Sequence, residues 1–118
     1  MSDFPVTVFH NPNCGTSRSV LDLVRDAGHE PEVVEYLNAG WTADRLKALL
    51  ADMGRGPRDV LRAKEPLAAE LGLLDAGVSD EALIAAMVEH PVLVERPIVR
   101  SPKGVRLGRP RETVLDIL

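Results

Sequence analysis

Residues 6–18, VTVFHNPNCGTSR, constrain this chain more than any other stretch. An apolar, β-branched run (Val6, Val8, Phe9) enters Asn11-Pro12-Asn13, then Cys14-Gly15-Thr16-Ser17, then an amphipathic run carrying Val20, Leu23, Val24 and Ala27. The pattern predicts strand, sharp turn and helix, with the only cysteine at the helix entrance. A thiol at that position meets backbone N–H groups without intrahelical partners and the positive end of the helix dipole, and both favour the thiolate. The same amides can hold an anion. A solitary cysteine more often serves as a small buried hydrophobe. Cys14, however, stands between Asn13 and Gly15, outside the periodic apolar positions and at a turn. That placement favours a reactive thiol over core filling.

A chain of 118 residues, 45% of them hydrophobic, is long enough for one domain with its own core. Aromatic residues make up 3%, so Val, Leu, Ile and Ala must supply most of that core. One cysteine excludes an intramolecular disulfide framework and suits a reducing compartment. The start, Met1-Ser2-Asp3-Phe4-Pro5, carries no secretory pattern. The longest apolar run, residues 82–88, is too short to span a bilayer. A cytoplasmic protein with no membrane association is expected.

Fourteen basic against eighteen acidic residues leave a net charge of −4, which argues against general nucleic-acid binding. The distribution says more than the sum. Residues 96–111 hold six basic side chains (Arg96, Arg100, Lys103, Arg106, Arg109, Arg111) and no acidic one. A locally basic segment in an acidic chain fits a small anionic ligand or a docking patch, set against a merely solvated positive face.

In chain order, the first helix is expected over residues 17–27, stopped by Gly28, and a second strand over residues 32–36. Strand, helix, strand at this length implies a right-handed crossover with parallel pairing. The middle of the chain reads as helical. Thr42 caps a helix with Leu46, Leu49, Leu50 and Met53 on one face, ended by Gly54; shorter helices follow from Pro57 through Arg62 and from Pro66 to Leu71. Ser79 opens a helix bearing Leu83, Ile84, Met87 and Val88, stopped by Pro91. Ile98-Val99-Arg100 and Val105-Arg106-Leu107 flank a turn and form a hairpin, and Pro110 opens a terminal helix with Val114, Leu115 and Leu118 inward. The expected fold is α/β and thioredoxin-like: a βαβ-ββα core with a helical insertion, about residues 42–90, between the second and third strands of one domain spanning residues 1–118. In that fold Arg96-Pro97 falls where a cis proline faces the cysteine.

The segment His10-Asn11-Pro12-Asn13-Cys14-Gly15-Thr16-Ser17-Arg18 resembles the active-site signature of the glutaredoxin-coupled arsenate reductases. The resemblance extends to Asp52-Met53-Gly54, Val60-Leu61-Arg62, His90-Pro91, Arg96-Pro97-Ile98-Val99 and Leu107-Gly108-Arg109-Pro110, in the right order over nearly the whole chain. It implies that Cys14 is the nucleophile, that Arg62, Arg96 and Arg109 hold the oxyanion, and that His10, Ser17 and Pro97 support them. It also implies arsenate as substrate, glutathione as co-substrate, glutaredoxin as partner and no bound cofactor.

The chemistry of these residues agrees. An ordinary thiol is only about 3% thiolate at pH 7, so a nucleophilic cysteine needs its pKa lowered. A helix terminus, arginines and a hydroxyl donated by Ser17 are the expected means. Arsenate is a tetrahedral dianion, and guanidinium forks bind such oxygens bidentately without losing charge. With one cysteine in the chain, a thiol adduct must be resolved by an external thiol.

Three other readings compete. A phosphatase-type reductase requires Cys-x5-Arg, but Val20 occupies that position. A monothiol glutaredoxin would account for Cys14-Gly15-Thr16-Ser17 but not for three arginines. An RNA-polymerase-binding regulator of the same fold would carry a C-x-x-C switch where this chain has Ser17. No metal site is expected, since one Cys and three scattered His (His10, His29, His90) lack ligand spacing.

Overall fold

The computed structural model describes residues 4–118. Contacts divide the chain into two units, one formed by Met1–Ala39 with Arg96–Leu118 and the other by Gly40–Glu95. The first three residues, on which the reading of the chain's start partly rests, lie outside the described residues.

The first unit is built on a four-stranded sheet. β1 (Thr7–His10) lies at its centre, parallel to β2 (Glu32–Glu35) and antiparallel to β3 (Ile98–Ser101), which pairs in turn with antiparallel β4 (Gly104–Leu107), giving the order β2-β1-β3-β4. Between β1 and β2 runs α1 (Gly15–Asp26). Its buried residues, Ser17, Val20, Leu21 and Val24, recur at the i, i+3, i+4, i+7 spacing of one helical face. The three apolar ones, Val20, Leu21 and Val24, join Val6, Val8, Val99, Val114 and Ile117 in a single apolar cluster. This is the expected thioredoxin-like α/β arrangement.

Three local departures have physical causes. α1 begins two residues before Ser17, because Gly15 is already helical with Cys14 as N-cap. The second strand ends at Glu35, and Tyr36 instead starts a one-turn helix, α2 (Tyr36–Ala39), in which its ring is buried. The terminal helix is 3-10 rather than α over Arg111–Ile117. Its buried residues are Val114 and Ile117, three apart, which matches three residues per turn. Leu115, expected inward, is therefore half exposed.

The second unit is helical: α3 (Ala43–Met53), α4 (Pro57–Val60), α5 (Pro66–Glu70) and α6 (Asp80–Glu89). Its caps follow the sequence. Thr42 Oγ1 accepts from the Arg45 N–H at 3.2 Å, and Ser79 Oγ accepts from the Ala82 N–H at 3.2 Å. Gly54 closes α3 at φ 71°, a left-handed conformation that a side chain would oppose. α4 stops before Arg62 because Leu61 leaves the helix to bridge Val94, and Arg62 N–H donates to the Leu93 carbonyl at 2.7 Å. Pro91 does stop α6, but a 3-10 turn, Pro91–Leu93, follows it. Arg58 secures the loop before α6, donating to the carbonyls of Leu73, Asp75 and Val78 at 3.1–3.3 Å. Among the described residues no helix is long and apolar enough to cross a membrane.

Candidate active site

The turn after β1 is set by its own side chains. Asn11 Oδ1 accepts from the Asn13 N–H at 2.9 Å, and the Cys14 N–H donates to the Asn11 carbonyl at 3.1 Å. The turn is stapled from outside by Arg18, whose Nη1 donates to the Pro12 carbonyl at 2.7 Å. Cys14 then takes the N-cap position in extended conformation (φ −102°, ψ 121°) and is half-buried. Its sulfur is at the start of α1, where the Ser17 backbone N–H acts on it, the place the strand–turn–helix pattern predicts.

Two arginines from the far end of the chain reach this thiol. Arg109 Nη2 is 3.4 Å from Cys14 Sγ, and its Nε donates to the Arg96 carbonyl at 2.8 Å. Arg96 itself is 9% exposed and hydrogen-bonds the thiol through its side chain. Each directly precedes a cis proline, at Arg96-Pro97 as expected and also at Arg109-Pro110. The two segments touch at Gly108. Its N–H donates to the Pro97 carbonyl at 2.8 Å, and a Cβ there would lie 3.0 Å from both Pro97 Cγ and Val20 Cγ2. Only glycine lets β4 approach the proline and α1 this closely.

Opposing forces act on the thiol. Burial pushes the Cys14 pKa up; the Ser17 backbone N–H, the hydrogen bond and charge of Arg96 and the charge of Arg109 pull it down. The downward pull wins, and the thiolate is favoured.

The part played by Ser17 differs from expectation. Its hydroxyl accepts from the Asn11 N–H at 3.0 Å and is 2.7 Å from His10 Nδ1, so the group acting on the sulfur is the Ser17 backbone N–H. His10 and Ser17 are both buried. Burial lowers the His10 pKa, the charges of Arg18 and Arg25 lower it further, and Glu35, its register partner on β2, opposes them. A neutral imidazole therefore backs the turn at neutral pH.

Arg62 belongs to the other unit. There its Nη1 pairs with Glu95 Oε1 at 2.7 Å, both side chains about four-fifths buried (21% and 19% exposed). Of the remaining cations in the basic segment, Arg100 is exposed and Arg106 bonds the Val105 carbonyl. Arg111 Nη1 donates to Ser19 Oγ at 2.6 Å.

The family model for ArsC matches residues 9–117, which include the cysteine turn and both arginine-proline pairs. The chain belongs to the ArsC family. Curated ArsC relatives include the arsenate reductase ArsI1 of Synechocystis, 51% identical over 118 residues that make up 100% of this chain and 82% of the relative. The arsenate reductase of Escherichia coli K12 is 47% identical over 96% of this chain and 80% of the relative. Among solved structures, the arsenate reductase from Vibrio cholerae superposes with a TM-score of 0.94 at 44% identity, covering 99% of this chain and 100% of that one.

Sequence patterns gave several residues of this ArsC chain no role of their own. Asn11, whose carbonyl and side chain both shape the cysteine turn, was visible only as part of an Asn-Pro-Asn turn signal. Gly108 stood in the sequence only as part of Leu107-Gly108-Arg109-Pro110, and its packing role depends on what lies within 3.0 Å of it. Glu95 pairs with an arginine 33 positions away, a distance that no local pattern encodes.

Proposed function

We propose that this ArsC-family chain reduces arsenate to arsenite, with Cys14 as nucleophile and glutathione and glutaredoxin as external reductants. The observation that carries the reading is the pair of guanidinium groups on Cys14 Sγ, donated by Arg96 and Arg109. Such a pair serves two ends at once. It holds the thiolate before reaction and binds the oxygens of a tetrahedral anion as the sulfur attacks. The arsenate reductase names of relatives at about half identity support the choice of oxyanion.

In the first step the Cys14 thiolate attacks arsenic. An S–As bond forms, one As–O bond breaks, and the oxygen leaves as water with two protons from solvent; arsenic stays at +5. Glutathione then replaces a second oxygen, its thiol proton and the arsenic-bound hydroxyl leaving as water. A glutaredoxin thiolate attacks the glutathione sulfur, and the S–As bond breaks with its electron pair on arsenic, which falls to +3. The oxidised product is the mixed disulfide of glutaredoxin and glutathione. Water releases arsenite and restores the Cys14 thiol. Arg96 and Arg109 neutralise the adduct's anionic oxygens throughout, and Arg62, carried over from the resemblance, is the third ligand. His10 and Ser17 support the turn that presents the sulfur, and Pro97 seats Arg96.

Arsenic speciation tests the reading. Arsenate incubated with the protein, glutathione and glutaredoxin should yield arsenite, and omission of either thiol partner should stop it. Arsenite formed at an undiminished rate without glutathione would contradict the external-thiol mechanism.

A further inference from the structure

Beside the cysteine turn lies an open groove of about 520 Å³, within the size range of small-molecule clefts. One wall is the first turn of α1, with Gly15, Thr16 and Ser19; the other is the start of the terminal 3-10 helix, with Arg109, Arg111 and Glu112. Arg109 is common to the groove and the thiol, since its Nη2 is 3.4 Å from Cys14 Sγ. A molecule seated in the groove is thus one guanidinium away from the reacting sulfur.

Arg111 is fixed across the groove. Its Nη1 donates to Ser19 Oγ at 2.6 Å and its Nε donates to Glu112 Oε1 at 3.3 Å, which leaves Nη2 without a partner among the described residues. The side chain is tied to both walls although it is half exposed, so little rotamer freedom remains to be lost when an anion binds. Next to this cation stands the Glu112 carboxylate, and the hydroxyls of Thr16 and Ser19 add donors and acceptors between them.

We propose that this groove seats glutathione, the γ-glutamyl end lying across Arg111 and Glu112 and the thiol directed at the arsenic held on Cys14. The charge pattern matches that end of the tripeptide, which carries a carboxylate and an ammonium on one carbon. Arg111 takes the carboxylate and Glu112 the ammonium. Arg109 then faces the incoming sulfur and offsets the repulsion between an anionic adduct and a second thiolate. Seating converts the second displacement into a positioned one, in which the new As–S bond forms as water leaves. The inference rests on the reductase reading for its reaction, but not for its binding measurement.

The probe is S-methylglutathione, which keeps both charged ends and cannot react. Titrated into the wild-type protein and followed by amide NMR, it should shift the Gly15, Thr16 and Ser19 signals. The Kd should rise about tenfold in Arg111→Ala and recover in part in Arg111→Lys, as expected for loss and partial return of one charge-assisted contact. In the coupled assay Arg111→Ala should raise the KM for glutathione by a similar factor, with the KM for arsenate within about twofold of wild type. Ser19→Ala, which unties the same guanidinium, should act in the same direction and keeps the test sound if Arg111→Ala folds poorly. Equal Kd in wild type and all three variants, or shifts that spare the α1 amides, would overturn the assignment. Binding to wild type with no arsenate turnover would leave the groove as a glutathione site and remove the reductase reading instead.

Discussion

At Cys14 the balance between burial, which favours the neutral thiol, and the Ser17 N–H with Arg96 and Arg109, which favour the thiolate, decides reactivity. Alkylation by iodoacetamide should therefore follow a pH midpoint below the ordinary thiol value of about 8.5. Arg96→Ala and Arg109→Ala should each raise that midpoint and weaken arsenate binding by about tenfold or more, while circular dichroism stays unchanged. A midpoint unmoved in both variants would mean that the helix start alone sets the thiol. His10 carries a separate pH dependence. Its folded pKa is lowered, so between that value and the unfolded value of about 6.5 the unfolded chain binds more protons. Stability should fall as pH drops through that window, and urea midpoints measured from pH 7 to pH 5 should decline less steeply in His10→Asn. The position of Cys14 at a helix start is legible in the sequence. The Ser17 hydroxyl, expected on the thiol, meets His10 and Asn11 instead, because those contacts depend on how the turn closes six and seven residues away.

Elements announced by periodicity and caps were legible: α1 from its apolar face, α3 from Thr42 and Gly54, α6 from Ser79. Ser79→Ala should remove one cap bond and cost about 1 kcal/mol in thermal or urea unfolding. The misjudged ends have different causes. Leu61 leaves α4 for Val94, a tertiary pairing that local signals do not carry, whereas the buried pair Val114 and Ile117 follows the three-residue period of the C-terminal 3-10 helix. The last turn is also fastened to the sheet, since the Ser101 hydroxyl donates to the Ile117 carbonyl. The clearest element-level dependence is the approach of β4 to Pro97 and Val20 across Gly108. Gly108→Ala places a methyl at 3.0 Å from each, so it should destabilise by about 1–3 kcal/mol and, by displacing Pro97 and Arg96, raise the pH midpoint of Cys14 alkylation. Loss of stability with an unchanged midpoint would show that the contact matters for packing alone.

For the molecule as a whole, net charge gave only an exclusion, and the uneven distribution of the basic residues gave the lead. Six cations between residues 96 and 111 fit an anionic ligand, a docking patch or a solvated face, and only the fold shows that Arg96 and Arg109 meet Cys14 while Arg111 goes to Ser19. Sequence separation explains the gap: Cys14 and Arg109 are 95 positions apart, and no spacing rule reaches that far. The cysteine count carries the opposite kind of information, available from composition at once. A chain with a single thiol cannot close a disulfide on itself, so a reductase built this way must draw its electrons from other molecules. That dependence and the nucleophile are tested together by NADPH consumption driven by arsenate, with glutathione, glutaredoxin and glutathione reductase present, in wild type and Cys14→Ser. Arsenate-dependent consumption in the wild type that is lost in Cys14→Ser and on omission of glutathione is the predicted result; equal consumption in the two proteins would contradict the assignment of the reaction to Cys14.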